Sequence, residues 1–129
     1  MIRSDIGARI LLADDDEDLR WLIADRLRAD GHTVIEVSSG AELMDFIRKV
    51  VADHPDVIVS DVLMPGFDGI EVLGALRMAE WSVPVVLMTA LRDRDVRDAA
   101  NRLGALALFE KPFDLHELRT VLLDVTRRA

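Results

Sequence analysis

Residues 10–21 read ILLADDDEDLRW: four apolar residues, then three aspartates, a glutamate and a fourth aspartate, then the start of a helical pattern. Like charges this dense repel one another and prefer water, yet they stand at the mouth of a run that contains no polar residue. A short aliphatic run that ends in carboxylates and passes at once into a helix describes a buried strand whose carboxyl end opens on a polar crevice. The rest of the chain repeats that arrangement.

RILLA (9–13), TVIEV (33–37), DVIVS (56–60), PVVLM (84–88) and ALALF (105–109) are short and aliphatic, and most lack a polar alternate, as parallel strands covered on both faces require. Between them lie amphipathic segments. Leu19, Leu22, Ile23 and Leu27 recur at helical spacing until Gly31 stops the pattern. Ala41, Leu43, Met44, Ile47 and Val51 mark a second helix, and Ile70, Val72, Leu73 and Leu76 a third. Val96, Ala99, Ala100 and Leu103 mark a fourth, ended by Gly104. The last carries Leu115, Leu118, Val121, Leu122 and Val125, with Asp114 as N-cap and Glu117 as its capping-box partner. Five strands in alternation with five helices predict an α/β fold with a doubly wound parallel sheet and right-handed crossovers. For five strands the order 2-1-3-4-5 is expected, which sets the ends of the first and third strands side by side at the switch point where ligands bind.

The composition agrees with one domain over residues 1–129. Half of the 129 residues are hydrophobic, only 5% are aromatic and none is Tyr, so the core is aliphatic. A net charge of -8 without a basic stripe argues against direct nucleic-acid or anionic-membrane binding, and Arg127 and Arg128 read as complements to a helix dipole. The absence of Cys excludes disulfides and thiolate metal sites. No run spans a bilayer, and residues 1–9 lack the apolar core of a signal peptide, so a cytoplasmic protein is expected.

The polar residues now sort themselves by position. Asp14 and Asp15 follow the first strand, Asp61 the third, Thr89 the fourth and Lys111 the fifth. The fold gathers these carboxyl ends into one crevice, where a cluster of carboxylates calls for a divalent cation. Mg²⁺ suits it, being held by one or two carboxylates together with waters and phosphate. A carboxylate is also a nucleophile toward phosphorus, and Asp61, central in the sheet, is the candidate. The Lys111 ammonium and the Thr89 hydroxyl would then neutralise phosphoryl oxygens.

With these residues in place the chain resembles the receiver domain of two-component response regulators, the chemotaxis regulators among them, over essentially its whole length. The motifs are ILLADDDEDL, VIVSDVLMPGFDGIEVL, PVVLMTAL and FEKPFD. The resemblance implies a flavodoxin-like fold and phosphorylation of Asp61 by a histidine kinase or a histidine phosphotransfer protein. It implies Mg²⁺ ligation by Asp15, Asp61 and the Leu63 carbonyl, with Asp14 acting mostly through bound water, and a cis bond before Pro112. It also implies no enzyme activity beyond the domain's own phosphorylation and dephosphorylation. Signalling would pass through protein contacts or phosphorelay to a downstream partner, with a homodimer through the fourth helix, fifth strand and fifth helix as one form.

Two features depart from the commonest pattern or modulate it. The switch position three residues before Lys111, usually Tyr or Phe, is Leu108, with Phe109 one place later. The positions two after Asp61 and two after Thr89 are Leu63 and Leu91, an apolar lining that should hinder an attacking water. Leu19 and Leu22 with Pro112 and Phe113 would offer a surface to a helical partner, although periodicity alone allows Leu22 to be core. Trp21 is expected to be partly exposed. His32, His54 and His116 look incidental, and Met44, Met64, Met78 and Met88 look like packing.

Other functions fit less well. A haloacid-dehalogenase-like phosphatase needs Thr or Val four residues after its nucleophile, where Asp14 is followed by Asp18. An EF-hand needs Gly where Leu19 stands. A docking or dimerising module that never takes phosphate remains the alternative.

Overall fold

The computed structural model describes residues 7–49 and 54–128, the last three by backbone alone. Residues 1–6 and Val51 lie outside the described residues, as do the side chains of Arg127 and Arg128. Strands β1 (Arg9–Ala13), β2 (Thr33–Val37), β3 (Val57–Asp61), β4 (Val85–Thr89) and β5 (Ala107–Glu110) form one parallel sheet in the order β2-β1-β3-β4-β5. Helices α1 (Glu17–Ala29), α2 (Gly40–Lys49), α3 (Gly69–Met78), α4 (Arg94–Arg102) and α5 (Leu115–Arg128) make the connections and close the chain. The flavodoxin-like (βα)5 order expected from the alternation is the one observed.

Why the strands lack a polar alternate is visible in the packing. Successive side chains of a strand point to opposite faces. On one face Ile10 and Leu12 of β1 pack with Ile23 and Leu27 of α1 and with Leu118 and Leu122 of α5. On the other, Leu11 and Ala13 pack with Leu43 of α2, Leu73 and Leu76 of α3 and Ala100 of α4. Both faces are covered, so both parities must be apolar.

β3 and β4 each run one residue past their apolar stretches and take Asp61 and Thr89 into the ladder, opposite Met88 and Glu110. β5 begins two residues later than the pattern predicts. The Ala105 N–H closes the end of α4 on the Ala100 carbonyl at 2.9 Å, and only Leu106 begins to pair, donating to Val85 O at 2.8 Å.

Helix starts follow cap chemistry. Asp16 caps α1 by accepting from Leu19 N–H at 3.1 Å. The reciprocal capping box expected at Asp114 and Glu117 is found instead at Asp68 and Glu71, with bonds of 2.7 and 3.0 Å. Asp114 does cap α5, but by accepting from His116 N–H at 2.9 Å. Gly31 and Gly104, just past the ends of α1 and α4, take the positive φ that closes a helix.

Two side chains depart from expectation, and a third, Leu22, is one that periodicity leaves open. His32 is not incidental: it is 4% exposed, and its Nδ1 accepts from Ala8 N–H at 2.9 Å, joining the starts of β1 and β2. Met78 does not pack but stands 88% exposed at the end of α3. Leu22 is 38% exposed, which settles the choice against core; Ile23 and Leu27 fill that face of α1.

Gly69 is a tight joint between fold and site. A Cβ there would lie 2.6 Å from the main-chain oxygen of Asp61, and its N–H donates to Val62 O at 2.8 Å. Rigid backbone, not a flexible side chain, blocks the space. Gly69→Ala is expected to cost about 1–3 kcal/mol in urea unfolding; unchanged stability would mean that the loop after Asp61 yields without strain.

Candidate functional site

At the carboxyl edge of the sheet, β1 and β3 are neighbours, and their register sets Ala13 beside Ser60, so the residues that follow, Asp14 and Asp61, face one another. Asp14 is 0% exposed and Asp61 5%, while Asp15 is open to solvent. Single carboxylate oxygens of Asp14, Asp15 and Asp61 lie within 4.8 Å of one another. Lys111 reaches them from the end of β5, with Nζ donating to Asp61 Oδ2 at 3.0 Å and to Asp14 Oδ2 at 3.1 Å. The remaining Asp14 oxygen accepts from Asp16 N–H at 2.9 Å. Four of the residues expected at the site are thus brought together.

Thr89 ends β4 and is buried, its Oγ1 accepting from Leu91 N–H at 3.0 Å and its carbonyl from Lys111 N–H at 2.7 Å. The strand end that carries Thr89 is thereby tied to the lysine. Leu63 lies in the loop after Asp61, its side chain exposed, and its carbonyl accepts no hydrogen bond among the described residues. Leu91 is exposed as well, and its N–H donates to the Thr89 hydroxyl. The Lys111–Pro112 bond is cis, as expected.

The donor set suits a hard divalent cation. Three clustered carboxylates and a free carbonyl are all-oxygen ligands, and the exposed Asp15 leaves one side open for water. One residue of the site was not singled out by the sequence. Arg20 of α1 donates from Nη1 to the Asp14 carbonyl at 2.9 Å and from Nε to Glu36 Oε1 at 3.2 Å. An arginine on a polar helix face reads as solvated, and a bond to a main-chain carbonyl leaves no mark in sequence.

Beside the crevice, Leu19, Leu22, Lys111, Pro112, Phe113 and Leu115 line an apolar groove of about 350 Å³. Leu19, Leu22, Pro112 and Phe113 therefore share one surface. Leu108 and Phe109 point to opposite sides of β5: Leu108 packs with the α2–α3–α4 layer, and Phe109 with the α1–α5 layer, its ring 5.3 Å from that of Phe113. The aromatic side chain has not replaced Leu108; it serves the other face.

Burial pushes the Asp61 carboxyl up to about 6, with the neighbouring Asp14 adding to the shift and Lys111 opposing it. Burial also works against the Lys111 ammonium, but its hydrogen bonds and charge pairing with Asp61 and Asp14 outweigh that and raise it. A carboxyl raised on folding favours the folded state while protonated, and loses that contribution as pH rises through about 6. In EDTA, Asp61→Asn should therefore melt several degrees above wild type at pH 7.5, by roughly 1–3 kcal/mol. The gap should narrow as pH falls and close by about pH 3.5, below the ordinary carboxyl value of 3.8. An equal gap at both pH values would show that charge is not its source.

Comparison with known proteins agrees with this geometry. The family model described as response regulator receiver domain matches residues 10–123. Sporulation initiation phosphotransferase F of Bacillus subtilis (strain 168) is 32% identical over 114 residues, spanning 88% of this chain and 90% of that protein. The DNA-binding transcriptional regulator NtrC of Escherichia coli (strain K12) is 34% identical over 108 residues, 84% of this chain but only 22% of that longer protein. Among solved structures, the receiver domain of the Francisella response regulator 1452 superposes with a TM-score of 0.86 at 28% identity, covering 94% of this chain and 98% of that one. The chemotaxis response regulator CheY4 of Vibrio cholerae superposes with a TM-score of 0.80 at 28% identity, covering 92% and 98%. No helix among the described residues is long and apolar enough to cross a membrane. With the family model matched over residues 10–123, a relative 32% identical across most of both chains, and a receiver domain that superposes over nearly its whole length, the chain belongs to the response regulator receiver domain family.

Proposed function

We propose that this chain is a phosphorylation-driven receiver domain of a cytoplasmic two-component system, folded as a single unit over residues 1–129. Its acceptor is Asp61 and its donor a phosphohistidine on a histidine kinase or a histidine phosphotransfer protein. The observation that carries the reading is the Lys111 ammonium held between the Asp61 and Asp14 carboxylates, 3.0 and 3.1 Å away, at the open end of the sheet.

In the reaction an Asp61 oxygen attacks phosphorus, the P–O bond forms, and the P–N bond to the donor imidazole breaks with its electron pair leaving on nitrogen. At neutral pH Asp61 is mostly ionised despite its raised pKa, as a nucleophile must be. Lys111 exchanges its bond to Asp61 for one to a phosphoryl oxygen, and the Thr89 hydroxyl turns toward another. Asp15, Asp61 and the Leu63 carbonyl would hold Mg²⁺, with Asp14 contributing through bound water, and the ion would supply charge neutralisation for the phosphoryl oxygens. The groove at Leu19, Leu22, Pro112 and Phe113 receives the donor's helix. Beyond its own phosphorylation and dephosphorylation the domain catalyses nothing.

Output follows from the added charge. Movement of Thr89 draws the β4–α4 loop inward and repacks the face made by α4, β5 and α5, where a downstream protein, a relay partner or a second copy binds. Leu108 occupies the switch position, so the response on that face is aliphatic repacking. Neither nucleic acid nor membrane is a direct partner of this acidic domain.

Intact mass after incubation with acetyl phosphate and Mg²⁺ tests the reading. One phosphoryl group is expected on wild type and none on Asp61→Asn or without Mg²⁺. No adduct on wild type would leave a docking module with a receiver fold. The exposed side chains of Leu63 and Leu91 should also slow hydrolysis by keeping water from the phosphoryl group. Leu91→Asn is expected to speed decay of the adduct severalfold in a mass or radiolabel time course, and an unchanged rate would remove the leucine lining from the account.

A further inference from the structure

Apart from the carboxylates and the lysine, one charged side chain grips the acidic loop. Arg20 is largely buried, and its guanidinium spans from the Asp14 carbonyl, 2.9 Å from Nη1, to Glu36 on β2, 3.2 Å from Nε. Glu36 is itself anchored by Arg28, whose Nη1 lies 3.1 Å away and whose Nη2 donates to the Val34 carbonyl at 2.8 Å. The far end of the tie is therefore on the sheet edge, outside the loop.

We infer that Arg20 is a positioning residue for the metal- and phosphoryl-binding loop, fixing the direction in which Asp15 presents its carboxylate. This rests on the function proposed above. Every polar group of Asp14 is engaged: N–H to Val37 O at 3.2 Å, carbonyl to Arg20, Oδ1 to Asp16 N–H and Oδ2 to Lys111. Asp15 is the opposite case. Its side chain is exposed and makes no hydrogen bond among the described residues. Only the backbone aims it, and that backbone is held on one side by Arg20 through Asp14 and on the other by Asp16 as the α1 cap.

Arg20 and Arg28 share one carboxylate, Glu36, which ties the Arg20 guanidinium to the sheet edge. The planar fork matters too, because two donors at a fixed spacing bind the carbonyl and the carboxylate together, which a single ammonium on a flexible stem does not do. Groups that orient a ligand-bearing segment typically alter metal affinity by 10–100-fold when removed.

The test is Mg²⁺ binding by titration calorimetry, with melting temperature measured in EDTA alongside. Arg20→Gln and Arg20→Lys are each expected to weaken Mg²⁺ binding about tenfold or more, and Glu36→Gln severalfold. Arg28→Gln, which leaves the Asp14 tie in place, should bind like wild type. A merely structural arginine would lower the metal-free melting temperature and leave the Mg²⁺ dissociation constant unmoved; that result overturns the inference, as does wild-type affinity in Arg20→Lys. Should Arg20→Gln fail to fold, Arg20→Lys and Glu36→Gln still decide it. Wild type that neither binds Mg²⁺ nor takes a phosphoryl group would overturn the reading of the site, and this inference with it.

Discussion

Three carboxylates and one ammonium share the open end of the sheet, and the chemistry of the site depends on that imbalance. Asp14 and Asp61 present oxygens within 4.8 Å of each other. At an effective dielectric constant of about 20 their repulsion is on the order of 3 kcal/mol. Lys111 between them turns that repulsion into two attractive contacts, but one positive charge against three ionised carboxylates leaves two negative charges over. Burial first, with the Asp14 charge added, raises the Asp61 carboxyl, and the lysine's bonds and charge pairing with Asp61 and Asp14 keep it firmly protonated. The suitability of the site for a divalent cation, which would supply the missing two charges, follows from the imbalance.

What brings the groups together is register, not local sequence. Ala13 pairs with Ser60 across β1 and β3, and Asp61 pairs with Met88 across β3 and β4, so Asp61 stands beside Asp14, the residue after β1, and Thr89 one step further on. Because side chains alternate along a strand, a slip of one residue would exchange the faces of a strand and turn Asp61 away. The slip is resisted on both sides, since Leu11 and Leu12 are each fully buried in a different layer. Two-sided burial, which makes the strands look featureless in sequence, is also what fixes the site to a fraction of an ångström. Lys111, three strands from Asp14, is held in the same frame by its own N–H on the Thr89 carbonyl.

The same logic explains what could be read from the sequence and what could not. Alternation of apolar runs with helical periodicity exposed the sheet, its order and the residues at strand ends, because each signal is local and the topology rules do the assembly. Asp14, Asp61, Thr89 and Lys111 were legible on that basis. Arg20 and His32 were not. Arg20 acts on a main-chain carbonyl and on Glu36, sixteen residues away, and His32 bonds to the Ala8 N–H, twenty-four residues away. Neither bond has a preferred partner residue type at a fixed spacing. Met78 failed differently: residue type suggests packing, but whether a side chain at a helix end reaches the core depends on where the neighbouring elements end.

β5 carries this reasoning one step further. Adjacent residues on it face different layers, so Leu108 and Phe109 cannot substitute for each other however close they stand in sequence. Phe109 stacks toward Phe113, on the side of the sheet that bears the Leu19–Leu22 groove. Leu108 meets the α4 side, where Val96 and Ala100 are also aliphatic. A tyrosine at Leu108 would carry a hydroxyl able to trade hydrogen bonds as Thr89 moves; leucine has only shape. Any rearrangement at the end of β4 therefore reaches α4 through repacking of small aliphatic side chains, whose energy differences between arrangements are modest and whose coupling depends on close contact. The aromatic weight of the strand lies instead beside the crevice, on the α1–α5 side.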